Sequence, residues 1–193
     1  MKSTRWRIAA AVVLLAAIVT AALGGFRFAP KTSAKSEELG KRVTTNALAV
    51  QPLRVWLDTN HPVGLATPTP PVDYLVLEAE VENLTRQSNN YFLASDLVWL
   101  TSQDDQKGKR ADATYRVDDT TLLGNLQPKL PVRVRLSWKL PHGAVLPSPL
   151  RFGLYARRYV EKTYLTGEST WLQDGPGATL KLPVEDRRNR SVP

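Results

Sequence analysis

The residues of this chain whose types could do chemistry are two aspartate pairs, Asp104-Asp105 and Asp118-Asp119, and two histidines, His61 and His142, with no cysteine anywhere. The aspartates could offer oxygen ligands to calcium. A calcium loop, however, alternates its ligands in a D-x-[DN]-x-[DN]-G pattern, which neither pair supplies, so both are read as solvated turn residues. Absence of cysteine removes disulfides, zinc–thiolate sites and cysteine nucleophiles together, and two histidines leave little for metal or acid–base sites. Each histidine sits beside a proline, in His61-Pro62 and Pro141-His142, and reads as a loop residue. No G-x-S-x-G or comparable elbow places a serine nucleophile. The expectation is therefore a protein that is not an enzyme, with no catalytic residue, no metal and no cofactor.

Binding is the chemistry left. Arg133, Arg135 and Lys139 alternate along Pro131 to Leu140 and could present a cationic stripe to an anionic envelope polymer or to lipid headgroups. Glu78, Glu80 and Glu82 form an acidic row of the same spacing, and if the two strands are neighbours the rows neutralise each other at roughly 0.2–1 kcal/mol per pair. Arg151, Arg157 and Arg158 form a second, weaker basic group. Asp58 to Val72, DTNHPVGLATPTPPV, is a stretch without regular structure in which Pro68, Pro70 and Pro71 hold the chain extended and lower the entropy lost on binding. His61, Pro62, Leu65, Pro68, Pro70 and Pro71 are its candidate partner-binding residues.

The elements that must position these residues are strands. Val132, Val134, Leu136, Trp138 and Leu140 alternate with polar residues, as do Leu75, Leu77, Ala79 and Val81. Ala47 to Leu57, Leu97 to Thr101, Ala113 to Val117, Leu150 to Tyr159, Ser169 to Leu172 and Ala178 to Leu182 are further candidates. Turn clusters such as Asp174-Gly175-Pro176-Gly177 separate them. Trp56, Trp99, Trp138 and Trp171 fall on strands and read as core. The spacing predicts a mainly-β domain, an antiparallel immunoglobulin-like sandwich of seven or eight strands over residues 41–183. A basic tail at 184–193, containing Arg187, Arg188 and Arg190, is expected to be disordered.

Ahead of that domain lies a different kind of segment. Residues 8–26 carry no charge, and at about 1.5 Å per residue they reach roughly 28 Å, close to the ~30 Å of bilayer hydrocarbon. With the basic leader 1–7, which holds Lys2, Arg5 and Arg7, and with Trp6 at the interface, this predicts a single transmembrane signal-anchor helix. A cleavable signal ending at Ala22-Leu23-Gly24 is the alternative. A linker, 27–40, follows, and everything after the anchor is expected outside the cytoplasmic membrane. The net charge is +8, but residues 1–29 hold four basic and no acidic residues while 40–183 hold 17 basic and 14 acidic. Much of the excess is thus a topology signal, and a nucleic-acid partner is not expected.

The order of features resembles a known group. Gly40-Lys41-Arg42-Val43 opens into a first strand, Tyr74 to Thr85 reads YLVLEAEVENLT, Gln127-Pro128-Lys129 bends into the strand ending Leu140-Pro141, and a tryptophan strand comes late. Over about residues 40–183 the chain resembles immunoglobulin-like domains of unknown function on exported, membrane- or lipid-anchored proteins of Gram-positive bacteria, including actinobacteria. Those domains often carry Pro-Gly where this chain has Pro128-Lys129, and they have no agreed catalytic residues. The resemblance implies location and fold, with partner binding as the usual role; the expectation drawn here is a membrane or envelope protein as partner, with the domain an accessory of a membrane transport complex.

Overall fold

The computed structural model describes residues 35–66, 68–89, 92–101, 108–164 and 167–188. The expectations for 1–34, the anchor helix included, lie outside the described residues. Among the described residues no helix is long and apolar enough to cross a membrane.

The fold is mainly β, in two sheets. The strands are β1 (Lys35–Glu37), β2 (Val43–Thr44), β3 (Leu48–Asp58), β4 (Val72–Asn83), β5 (Leu97–Leu100), β6 (Lys109–Arg110), β7 (Ala113–Arg116), β8 (Pro131–Pro141), β9 (Leu150–Val160), β10 (Thr170–Leu182) and β11 (Glu185–Asp186). A five-residue helix α1 (Phe92–Asp96) precedes β5. One sheet runs β1-β10-β9-β5-β6; the other runs β11-β3-β4-β8-β7, with β2 added to β3. The pairing is antiparallel except where the two terminal strands β1 and β11 join in parallel.

Period-two alternation produces the core. On β4 Leu75, Leu77, Ala79 and Val81 face inward, on β8 Val134, Leu136, Trp138 and Leu140, and on the facing sheet Leu97, Trp99, Phe152, Leu154 and Leu180. Trp138 and Phe152 meet across the two sheets at 5.5 Å. Each of the Val, Leu and Phe side chains stabilises the fold by about 1.5–3 kcal/mol through removal of apolar surface from water.

Several expectations are revised. Asp174 to Gly177 reads as a break, yet β10 runs through it; the register slips between Gln173 and Gly175 and between Pro176 and Ala178, so glycine and proline make bulges rather than an end. A side chain at position 177 would force its neighbours to shift, since a Cβ there would lie 2.9 Å from Thr45 Cγ2 and 3.1 Å from Leu154 O. The domain also extends beyond 41–183. Residues 35–37, assigned to a linker, pair with β10, and residues 185–186, assigned to a disordered tail, pair with β3. Arg187 and Arg188 are likewise held in place, with side chains 24% and 19% exposed. Arg190 lies outside the described residues. Trp56 is buried on the outer face of its sheet with Tyr74 and Val76, apart from the inter-sheet core.

Candidate functional site

One end of the sandwich carries a groove of about 460 Å³. Its aromatic wall is Tyr159, near the end of β9, and Trp171, near the start of β10. These are directly paired across the strands, so the hairpin itself sets them side by side. Their ring centroids are 5.3 Å apart at an interplanar angle of 59°. Tyr159 is 47% exposed, and Trp171 rests against the margin of the main core. Residues 84–87, immediately after β4, form the facing wall, and Asn46 closes the base.

The facing wall is held by the Asn-Leu-Thr sequence. Asn83 is fully buried. Its Nδ2 donates to Gln87 O at 2.7 Å and Leu126 O at 3.0 Å, while its Oδ1 accepts from Thr85 N at 3.0 Å and Thr85 Oγ1 at 2.7 Å. All the hydrogen-bonding capacity of one amide is thus spent, three bonds closing the turn that presents Arg86 and Gln87 and one tying it to Leu126. Lys129 N donates to Asn83 O at 2.8 Å, and Lys129 takes a left-handed φ of 62°, a conformation glycine adopts without steric cost.

The aromatic wall rests on a buried ion pair. Arg157 Nε and Nη2 donate to Asp96 Oδ2 and Oδ1 at 2.6 and 2.9 Å, Nη2 also to Ser95 Oγ at 2.6 Å, and Nη1 to the Trp171 carbonyl at 3.2 Å. Arg157 N donates to Asn46 Oδ1 at 2.9 Å. Burial pushes the Asp96 carboxyl above its ordinary value, with the Arg157 and Ser95 hydrogen bonds pulling the other way. The two-pronged geometry is that of an ionised pair. α1 ends where its Asp96 meets Arg157 of β9.

The Pro-rich loop lies at the opposite end of β4, twelve residues and therefore about 40 Å away. It has two parts. His61 and Pro62 are packed down onto the outer sheet face; the His61 ring meets Tyr74 and Tyr115 edge-on at 5.1 and 5.5 Å. Burial, and then the Lys139 charge, hold His61 below its ordinary pKa. Leu65, Pro68, Pro70 and Pro71 are exposed. The six candidate partner-binding residues therefore do not form one surface.

The cationic row is split as well. In register Glu78 faces Arg135 and Glu80 faces Arg133, but Lys139 faces Tyr74. Glu78 is almost completely buried and collects Arg54 at 2.8 Å, Arg135 at 3.1 Å and Arg133 at 3.9 Å. Arg135 also donates to Pro62 O at 2.9 Å. Arg54, Arg187 and Arg135 lie over the Trp56 ring at 5.0, 4.8 and 5.9 Å from its centroid. Arg133 and Lys139 keep exposed heads. His142, read as an ordinary loop histidine, is bonded through Nδ1 to the buried Asp73 at 2.9 Å, and Arg188 reaches the same carboxylate at 2.9 Å.

Asp118 and Asp119 are tied to Arg116 and Thr121; Asp104 and Asp105 lie outside the described residues. No cluster of three metal-ligating side chains occurs among the described residues. The groove was not legible in the sequence. The available signal was the aromatic pair flanking a hairpin, together with an Asn-x-Thr turn after a strand.

No family model and no curated protein matches the chain. Among solved structures, the crystal structure of an uncharacterized beta-sandwich protein from Clostridium difficile 630 matches with 15% identity and a TM-score of 0.40, covering 76% of this chain and 99% of that one. The β-sandwich assignment stands on the two sheets described above.

Proposed function

We propose that this chain is an extracytoplasmic binding domain of immunoglobulin-like type, held at the cell membrane by residues 8–26, and that it contacts a protein partner through the groove at Tyr159 and Trp171. An accessory role in a membrane transport complex is the setting such a domain would suit. The immunoglobulin-like reading is supported by strand order: β3-β4-β8-β7 opposite β10-β9-β5-β6 follows the A-B-E-D and G-F-C order of those sandwiches. The groove then falls between the loop after the second strand and the hairpin of the last two. Variable-type sandwiches bind with that end, an analogy of architecture only. The observation that carries the reading is an accessible Tyr–Trp pair beside Arg86, on a wall fixed from beneath by fully bonded Asn83 and Arg157. Rigid, amphipathic aromatics with one arginine are the composition of contact hot spots.

Photoreactive residues placed singly at Tyr159, Leu65 and Arg133 in living cells test this. A protein adduct at position 159, absent at 133, is expected. Adducts at Leu65 alone would return the contact to the Pro-rich loop. The N-terminus of the membrane-extracted chain is expected at or near Met1, and a start near Gly25 with release to the medium would remove the anchor. The second reading, an anionic-polymer or headgroup binder, draws on the exposed heads of Arg133 and Lys139; its affinity would fall steeply with salt, unlike an aromatic contact.

A further inference from the structure

The direction in which the chain enters the sandwich decides which end lies nearest the N-terminal segment. β1 pairs in parallel with β10, Lys35 opposite Ala178 and Glu37 opposite Leu180. Parallel strands enter from the same side, so the chain comes in at the end where β10 begins, which is the end of the β9–β10 hairpin and of the groove. β11 runs parallel to β3 and leaves at the opposite end, beside the Pro-rich loop.

Lengths then set how close that end is to a membrane anchored by residues 8–26. From Phe26, the last residue of the uncharged run, to Lys35 is nine Cα steps, which even fully extended span at most about 32 Å. On the same side of Lys35, β10 reaches back from Ala178 to Thr170, eight residues or about 26 Å. With the sandwich upright and the connection at full stretch, about 6 Å separates the level of Thr170 from the hydrocarbon edge. The hairpin continues past Thr170 to a turn in which Thr163 N donates to Glu168 O at 2.9 Å. A headgroup layer is itself about 5–7 Å deep, so the turn reaches it in the most distant arrangement, and any shorter path of the connection brings it closer or tilts the sandwich onto the flank of the hairpin.

The hairpin carries side chains suited to that layer. Tyr164 is fully exposed, and Leu172, paired with Arg158 on the face of the ribbon that alternates with the Tyr159–Trp171 pair, is exposed as well. An aromatic ring with a polar tip is the kind of side chain enriched at membrane–water interfaces. Residues 158–174 hold two basic residues, Arg158 and Lys162, against the acidic Glu161, Glu168 and Asp174, so the contact does not depend on anionic lipid. The exposed Leu65 and Val145 stand at the far end, in the connections from β3 to β4 and from β8 to β9.

We propose that the sandwich stands with its β9–β10 hairpin on the phospholipid surface of the membrane that anchors it, with Tyr164 in the headgroup layer and the groove at Tyr159 and Trp171 opening at that surface. This deepens, and rests on, the reading of residues 8–26 as a membrane anchor. A groove partner is then met at membrane level, as a protein embedded in the same bilayer is, and the Pro-rich loop points away from it.

The test uses the full chain in phosphatidylcholine nanodiscs in which a share of the lipid carries a nitroxide on its headgroup. The chain has no cysteine, so Tyr164→Cys, Leu172→Cys, Leu65→Cys and Val145→Cys, all at exposed positions, each accept a single bimane fluorophore. Nitroxide quenches bimane only at short range. Most of the emission is expected to be lost at position 164 and part of it at 172, with emission at 65 and 145 unchanged. The pattern should persist when phosphatidylglycerol is added and when salt is raised, since the hairpin charges balance. Equal quenching at all four positions, stronger quenching at 65 or 145, or quenching at 164 that appears only with phosphatidylglycerol overturns the inference. Sequencing of the N-terminus of the same preparation separates the two readings. A chain that begins at Met1 and stays in the disc without the expected pattern removes this inference alone, whereas a chain that begins near Gly25 and leaves the disc removes the anchor and this inference with it.

Discussion

Replacing Asp96 by alanine leaves Arg157 buried without its counter-charge. The Asp96 side chain is 0% exposed and that of Arg157 8%. The change deletes the bonds of 2.6 and 2.9 Å to the carboxylate, while those to Ser95 Oγ and the Trp171 carbonyl carry no counter-charge. Breaking a pair this deep costs about 3–5 kcal/mol, because the remaining ion keeps its desolvation penalty. Against a total stability of about 5–15 kcal/mol the loss is large, and at about 2–4 °C per kcal/mol it corresponds to a fall in Tm of roughly 6–20 °C. Asp96→Asn, which keeps an acceptor but no charge, should lie between alanine and the parent. Removing both ions with Asp96→Leu/Arg157→Met should cost less than Asp96→Ala alone. Urea and thermal unfolding of the parent, these three variants and the singles Asp96→Leu and Arg157→Met, followed by near-ultraviolet circular dichroism, provide the measurement. An Asp96→Ala loss under about 1 kcal/mol, or a double-variant loss equal to the sum of the two singles, would refute the reasoning, since an additive result means the side chains are not coupled.

Other expectations follow from the outer faces and turns. Arg135→Ala should cost about 1–3 kcal/mol through loss of its Glu78 and Pro62 bonds, whereas Arg133→Ala, 59% exposed and 3.9 Å from Glu78, should cost under about 0.5 kcal/mol; paired urea midpoints distinguish them. Burial raises the Asp73 carboxyl, but the Arg188, His142 and Gly143 hydrogen bonds outweigh it and hold the pKa below the ordinary value. Its folded pKa being depressed, its stabilisation is present above the unfolded value of about 4 and is lost as pH falls through the folded one. Urea midpoints measured from pH 6 downward should therefore fall less steeply in Asp73→Asn than in the parent, and identical slopes would count against the assignment. Lys129→Gly should raise stability by up to about 1 kcal/mol, since relief of about 1–2 kcal/mol at a φ of 62° exceeds the ~0.5–1 kcal/mol entropy cost of glycine, and a lower Tm would contradict the strain.

Alternation in Tyr74 to Glu82 and Pro131 to Leu140 was enough to name the inward face of both strands, because side chains on a strand alternate by geometry and apolar area is what folding buries. Eleven strands occur among the described residues where seven or eight were expected: four short ones, β1, β2, β6 and β11, had no periodic signal, and the expected runs Ser169 to Leu172 and Ala178 to Leu182 are one strand, β10. The neighbouring Glu and Arg rows were legible from the same alternation, though not that Glu78 would gather three arginines while Lys139 faces Tyr74. Local pattern was misleading where tertiary pairing could absorb an irregularity, as with Gly175-Pro176-Gly177, since a long partner strand on one side holds a bulged strand in line. The groove belonged wholly to the tertiary structure. Asp96 and Arg157 stand 61 positions apart, Asn83 and Leu126 43 apart, and each becomes a neighbour only once strand order and register are fixed. Composition and periodicity report what a residue wants from solvent and from its own strand; which distant residue satisfies it depends on how the sheets close over the core, and that was decided by packing.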